Sequence, residues 1–352
     1  MRQVRDPRNQ ISPPRDPDPR DLLLAKLRES DRGFSRSRRL PAFALDLPGP
    51  CASFLKRHKP RALWLARTDF WPEMLAQTRK RNVPISVFSY TQKEVCALKR
   101  LLVRWRLSFV DHILCASAED AARVKELRPD ADVHAAGDTR YDQVDFRLRN
   151  PKPIPRALKP DRPCLVAGST WPEDEKVLLP ALADLLREGR LKLILVPHEP
   201  TPGHLREITA ELERLSLRHV LFSQEREWSG ENVLLVDKVG VLAELYLWAD
   251  FAFVGGSFRK SVHSVMEALG AGCITFVGPK HANNREALEF KELRIEGQPG
   301  LEVVTSPDEL RVRMDSRLRD NGEREKFSLA LKQEFGRRLG ASRTLAEKFI
   351  AK

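Results

Sequence analysis

Residues able to hold a phosphate and a sugar cluster in one stretch, 232–290. Glu267 follows His263 and Ser264 by four and three positions, so on a helix these side chains share a face, and the carboxylate can accept from sugar hydroxyls beside two further polar groups. Two glycine-bearing joints lie nearby. Asp237 to Gly240 leads through Val241 into an apolar segment with Leu242, Leu245 and Tyr246, and Gly255, Gly256 and Ser257 lead into a second with Met266 and Leu269. Helix N-termini at such joints point unsatisfied N–H groups outward and favour an anion. The elements that must position them are short apolar runs at 233–236, 251–254 and 274–277, alternating with helix-like segments in the rhythm of βαβ units. In a parallel sheet, ligands bind at the carboxyl ends of the strands. The same residues also fit an ordinary α/β domain with a solvated glutamate.

The remaining chain supplies more units of this kind. Residues 1–20 alternate charge with proline and contain too little apolar surface to offset ordering, so 1–39 is expected to be a basic, Pro-rich, disordered segment, with a short helical turn at 21–27 and a connector at 32–40. Ordered structure is expected from Leu40. A strand at 62–66, a helix opened by Trp71 and Pro72, and a strand at 85–89 make one βαβ unit. Segment 94–109 has Val95, Leu98, Leu101, Leu102 and Trp105 on one side and Lys99, Arg100, Arg104 and Arg106 elsewhere; it can lie on an anionic membrane, or pack its apolar side on the sheet with its charges solvated. Five prolines mark 150–163 as a linker. Beyond it, Gly168, Ser169 and Thr170 end a strand, a further possible phosphate or sugar contact, and the acids Glu173, Asp174 and Glu175 suit a helix N-terminus. Pro197 and His198 end the next strand, at 191–196.

With 352 residues, 41% of them hydrophobic, the chain can build two domains with buried cores. No apolar run approaches the ~20 residues of a membrane span, and no secretory signal is evident. The five cysteines show no metal-ligand spacing and read as reduced core residues. A net charge of +12 favours an anionic partner, a membrane surface or phosphorylated substrate before nucleic acid, for which no binding signature is present. P-loop, nucleophile-elbow and zincin motifs are absent.

The run VDKVGVLAELYLWADFAFVGGSF, then HSVMEA and VGPKHANN, resembles the nucleotide-binding half of the 3-deoxy-D-manno-octulosonic acid (Kdo) transferases. That family shows an aspartate, Thr-Met-Gly-Glu, Leu-Tyr-x-x-Ala-Asp, Gly-Gly-Ser, His-Asn-Pro-Leu-Glu-Pro and Gly-Pro-His. The likeness runs from about Leu40 to the C-terminus. It implies an α/β fold of two Rossmann-like domains facing a cleft, the GT-B type, with the first domain incomplete. The expected division is 1–39, a partial acceptor-side domain at 40–149, the linker 150–163, and a CMP-Kdo-binding domain at 164–352 whose last helices pack back across the cleft. The implied reaction is an inverting, metal-independent and cofactor-free transfer of Kdo from CMP-Kdo to a lipid A precursor, by a protein peripheral on the cytoplasmic face of the inner membrane.

Carried over position by position, the resemblance assigns donor contacts to Pro197 and His198, to Val239, Gly240 and Val241, and to Ser264, Val265, Met266 and Glu267. Gly168 to Thr170, Gly255 to Ser257 and His263 join them as residues of the joints. The family has histidine at Trp171, arginine at His198, glutamate at Val241 and asparagine at Ser264. Its Glu-Thr-Glu-Leu-Trp-Pro becomes Arg67, Thr68, Asp69, Phe70, Trp71 and Pro72. The Ser-Val-Gly-Glu segment that supplies its catalytic base would lie ahead of Phe43, where no such motif occurs. A start later than the family's, or a member without that base, are the expectations. A substitute base must project from the first domain, and Asp69 follows the strand 62–66 at its carboxyl end; it can equally cap the helix that Trp71 and Pro72 begin. A relative that binds a nucleotide-sugar or a partner without transfer, or a nucleotide-sugar epimerase, are the alternatives.

Overall fold

The computed structural model describes residues 45–228 and 230–349, so the expectations for 1–39 lie outside the described residues. Two compact units divide the chain: 1–139 with 340–352, and 140–339.

In the first unit, helix α1 (Pro48–His58) precedes strand β1 (Leu63–Ala66), helix α2 (Pro72–Arg79) and strand β2 (Ile85–Tyr90). Helix α3 (Ala97–Leu107), strand β3 (His112–Cys115), helix α4 (Ala118–Leu127) and strand β4 (Asp132–Ala135) follow. The strands pair in parallel in the order β1-β2-β3-β4, over a core that includes Leu65, Leu75, Ile85, Val87, Ile113 and Val124. The cap of α2 differs from the capping alternative for Asp69. Trp71 is the N-cap residue and makes no side-chain cap, while Asp46 accepts from the amides of Met74 at 2.9 Å and Glu73 at 3.3 Å. A carboxylate from outside the helix thus satisfies two of the orphan donors of a first turn in which Pro72 has no N–H, and it complements the helix dipole.

Packing of α3 against the sheet is also overturned, because its apolar face is open. Leu98, Leu101, Leu102 and Trp105 are 79%, 67%, 46% and 47% exposed, and Leu107 is the helix's buried residue. No helix among the described residues is long and apolar enough to cross a membrane.

The second unit opens with helix α5 (Thr139–Arg149), whose Tyr141 and Val144 join the large core. Strand β5 (Cys164–Thr170), helix α6 (Pro172–Arg187), strand β6 (Lys192–Pro197), helix α7 (Pro202–Arg214) and strands β7 (His219–Leu221) and β8 (Val233–Leu235) come next. Then come helix α8 (Leu242–Leu245), strand β9 (Phe251–Val254), helix α9 (Met266–Ala271), strand β10 (Ile274–Val277) and helix α10 (Arg285–Glu292). A two-stranded antiparallel ribbon, β11 (Arg294–Ile295) and β12 (Gln298–Pro299), precedes β13 (Glu302–Val303), α11 (Pro307–Leu318) and α12 (Asn321–Gly336). The last helix, α13 (Ala341–Phe349), groups with the first unit.

Seven parallel strands run β13-β10-β9-β5-β6-β8-β7. Residues 164–168 and every residue of β6, β8, β9 and β10 are buried, as expected for strands covered on both faces, and this explains their unbroken apolar runs. The chain builds outward from β5 through β6 and β8, then returns to the other side of β5 with β9. The strand order therefore reverses between β5 and β9, and in open α/β sheets a ligand crevice forms at the carboxyl ends of such a pair.

Candidate functional site

One of the two joints singled out in the sequence, Gly255 to Ser257, meets the end of β5 at that reversal; the other, Asp237 to Gly240, follows β8, which β6 separates from β5. β5 ends with Gly168, Ser169 and Thr170, and its pairing with β6 shifts register between Gly168 and Thr170. Ser169 absorbs the extra residue in a left-handed conformation (φ 54°) that costs a non-glycine residue about 1–2 kcal/mol. β9 runs into Gly255 and Gly256. A Cβ on Gly255 would lie 2.3 Å from the Ser169 carbonyl oxygen, so glycine here allows the two strand ends to close on each other.

Asp174 locks this closure. It sits in the first turn of α6, buried, and its Oδ2 accepts from the amides of Gly256 at 2.7 Å and Trp171 at 3.0 Å, while Oδ1 accepts from Phe258 at 3.0 Å. One carboxylate thereby fixes the turns after both strands. Burial pushes its carboxyl above the ordinary aspartate value, against the lowering effect of the three amides. Behind it, Thr170 donates to Glu175 at 2.8 Å and the His204 ring meets the other Glu175 oxygen at 2.9 Å. Burial alone would lower His204, but the Glu175 carboxylate outweighs it and holds the imidazole above its usual value.

A row of rings crosses the crevice. The Arg259 guanidinium lies 3.7 Å from the Trp171 ring centroid, Trp171 is tilted against His198 at 4.8 Å, and His198 stacks on His263 at 4.3 Å with 16° between planes. Trp171 Nε1–H donates to His263 Nε2 at 3.1 Å, which leaves the proton of a neutral His263 ring on Nδ1. Burial, with His198 as a second cause, lowers the His263 imidazole below its usual value.

The expected helical face of His263, Ser264 and Glu267 forms differently. α9 begins only at Met266, so His263 and Ser264 precede it. Ser264 still donates to Glu267 Oε2 at 2.7 Å, whereas His263 turns to the ring stack. Val265, Met266 and Ser257 are buried; Ser257 donates to the Val254 carbonyl and accepts from the Gly278 amide at 2.7 Å, which braces the loop. Pro197 and Thr170 are buried as well, and Gly240 (φ 89°) stands in open space between exposed Val239 and half-buried Val241. A side chain there would meet nothing, so the positive φ is what calls for glycine. Asp69 is exposed in the turn after β1, in the other unit.

Sequence reasoning missed the locking role of Asp174, whose place after Pro172 reads equally as a helix-dipole acid. It also passed over Arg259 and treated Trp171 only as a departure. The spacing of Trp171 and His263, 92 positions apart, carries no local signal.

Residues 25–143 match a family model described as 3-deoxy-D-manno-octulosonic-acid transferase (kdotransferase). A 3-deoxy-D-manno-octulosonic acid transferase of Bordetella pertussis is 29% identical over 258 residues, 69% of this chain and 58% of the relative. One from Haemophilus influenzae is 28% identical over 297 residues, 81% of this chain and 68% of the relative. Over these stretches the chain is similar to the Kdo transferases. It spans somewhat under two thirds of the Bordetella relative's length and just over two thirds of the Haemophilus one's. Where the family-model match ends, at 143, the fold comparison continues. UDP-GlcNAc 2-epimerase from Neisseria meningitidis aligns at a TM-score of 0.63 and 13% identity, covering 96% of this chain and 90% of that one. A glycosyltransferase from Rickettsia africae aligns at 0.53 and 10% identity, covering 94% and 86%. The chain is thus an α/β protein of two Rossmann-like units, of the GT-B fold class.

Proposed function

We propose that the chain is a glycosyltransferase that takes Kdo from CMP-Kdo and passes it to a lipid A precursor, with inversion and without a metal. The observation that carries the donor site is the Asp174-locked crevice at the β5–β9 reversal, rimmed by Ser169, the histidine pair and Glu267. In this reading the Glu267 carboxylate, oriented by Ser264, accepts from ribose hydroxyls, and the backbone of 239–241 and 255–257 lines the phosphate. An acceptor hydroxyl attacks the ketosidic carbon, the bond to phosphate breaks with its electron pair leaving on CMP, and a carboxylate takes the proton. Asp69 is the candidate base. Calorimetry should show CMP binding weakened by about 1–3 kcal/mol in Glu267→Ala, the loss of a charged hydrogen bond; unchanged affinity would remove Glu267 from the site.

The open face of α3 supports a peripheral position on an anionic membrane, on the cytoplasmic face where CMP-Kdo would be available. Four large apolar side chains can enter the acyl boundary while Lys99, Arg100 and Arg104 meet headgroups. Vesicles containing anionic lipid should pellet the protein in low salt and release it in high salt, and Leu101→Asp should abolish pelleting.

A second reading, nucleotide-sugar binding without transfer, is favoured by one feature. Asp69 is held by its own backbone turn, its amide 3.3 Å from the Ala66 carbonyl, with no side-chain partner among the described residues to aim it. A coupled assay with CMP-Kdo and lipid A precursor decides: turnover that is lost in Asp69→Asn supports the transferase with that base, and CMP binding without turnover supports the second reading.

A further inference from the structure

His198 and His263 form a stacked imidazole pair at the end of β6. His198 is exposed at the end of β6, and neither ring nitrogen makes a protein hydrogen bond among the described residues. Its ring lies flat on His263, whose Nε2 is already occupied by the Trp171 N–H. Two imidazolium charges stacked 4.3 Å apart would repel each other.

The charged groups on the surrounding elements leave this pair without a fixed counter-charge. On its own loop Glu199 is exposed to solvent. From α6, Glu173 reaches toward Arg259 at 3.8 Å, and both oxygens of Asp174 are taken by amides. Arg259 itself is spread over the Trp171 face. From α7, His204 is paired with Glu175, and from α9, Glu267 is engaged by Ser264. In the loop after β10, Lys280 donates to the Arg259 carbonyl and the buried His281 ring meets the Gly278 carbonyl at 3.1 Å. An anion entering beside the stack therefore finds the pair as the nearest group able to gain a charge.

We propose that His198 and His263 act as one proton-accepting unit that sets the affinity of the crevice for a phosphodiester-linked nucleotide, neutral when empty and singly protonated when the anion is bound. The proposal rests on the donor-site reading above and adds its specificity and pH control. An arginine at position 198 would hold a permanent charge; the histidine makes that charge conditional on pH and ligand. A neutral His263 in the empty site agrees, since burial, with His198 as a second cause, holds its imidazole below the usual value.

The probe is the methyl ester of CMP, a phosphodiester with one charge that does not titrate between about pH 5 and 9, whereas free CMP has a phosphate titration near pH 6 that would obscure the protein's. Calorimetry in buffers of different ionisation enthalpy reads both affinity and proton uptake. The wild-type protein should bind the diester about five- to tenfold tighter at about pH 5.5 than at about pH 8, the effect of a rise of nearly one unit in the pair's proton affinity, with net uptake peaking at about half a proton between those pH values. His198→Gln should bind equally at both pH values, with no uptake, and His198→Arg should bind equally and tightly at both. Circular dichroism checks that these exposed-site variants are folded. Wild-type binding with constant affinity, or a slope that persists in both His198→Gln and His263→Gln, overturns the proposal while leaving the donor site intact. No binding of the diester at any pH overturns the donor-site reading and this proposal together.

Discussion

Ser89 near the end of β2 and Ser169 near the end of β5 share an unusual geometry. Each lies at a register shift in a parallel pair and each is left-handed, with φ of 53° and 54°. Their side chains differ. Ser89 is buried, its hydroxyl 2.9 Å from the Thr139 hydroxyl and its oxygen accepting the Thr139 amide at 3.0 Å. Ser169 is half-exposed at the crevice, and its hydroxyl has no partner among the described residues. Local hydrogen bonds offset the backbone cost in the first case. In the second, nothing inside the unit offsets it except the Asp174 lock on the adjoining turn, which is the pattern of strain kept where a ligand is to be met.

Removing the lock should have the largest effect. Asp174→Ala leaves three amides without their acceptor, and urea unfolding should show a loss of about 3 kcal/mol or more, with Asp174→Asn recovering part of it. If the alanine variant is as stable as the wild type, the contrast between the two serines loses its cause.

A paired substitution sharpens the contrast at intermediate size. Ser89→Gly relieves the backbone but forfeits two part-buried hydrogen bonds, for a net loss of about 1 kcal/mol. Ser169→Gly forfeits none and should leave stability within about 1 kcal/mol of wild type while weakening CMP binding. Equal stability effects at the two positions would show that the hydroxyl environment is irrelevant.

The smallest effect is a pH dependence behind the lock. The folded His204 pKa lies above its unfolded value of 6.5, so its contribution to stability is fully present below that pH and is lost as pH rises through the folded value. Melting temperature should therefore decline across that window in the wild type, and the decline should shrink in His204→Gln. Scanning calorimetry at a series of pH values checks both.

These contrasts also mark how far the sequence could be read. The strands of the second sheet were legible as CLVA, FAFV and ITFV because full burial demands unbroken apolar runs. Gly255 and Gly256 were legible as a joint. The partner that makes the joint rigid was not, because Asp174 lies 82 positions from Gly256 and its local context already accounts for an acid. The cap on α2 escaped for the same reason, since Asp46 acts 28 positions away from Met74. For α3, periodicity identified the apolar side correctly; whether anything covers that side is a tertiary fact that periodicity does not encode. The stack of His198 on His263 needs both strand ends in place before the rings can meet.

Helix α5 has a practical consequence for dissecting this protein. Val144 and Leu148 press so closely on α9 that a methyl group on Gly270 would meet them at 3.1 and 2.9 Å, Tyr141 lies 4.9 Å from Phe335, and Arg147 pairs with the buried Glu244. The proline-rich stretch that follows is thus a strap between two parts of the same folding unit. A fragment cut inside that strap would discard the helix and bare a greasy furrow along α9 and α12, inviting aggregation on expression. One that begins at Thr139 or shortly before it keeps the furrow filled.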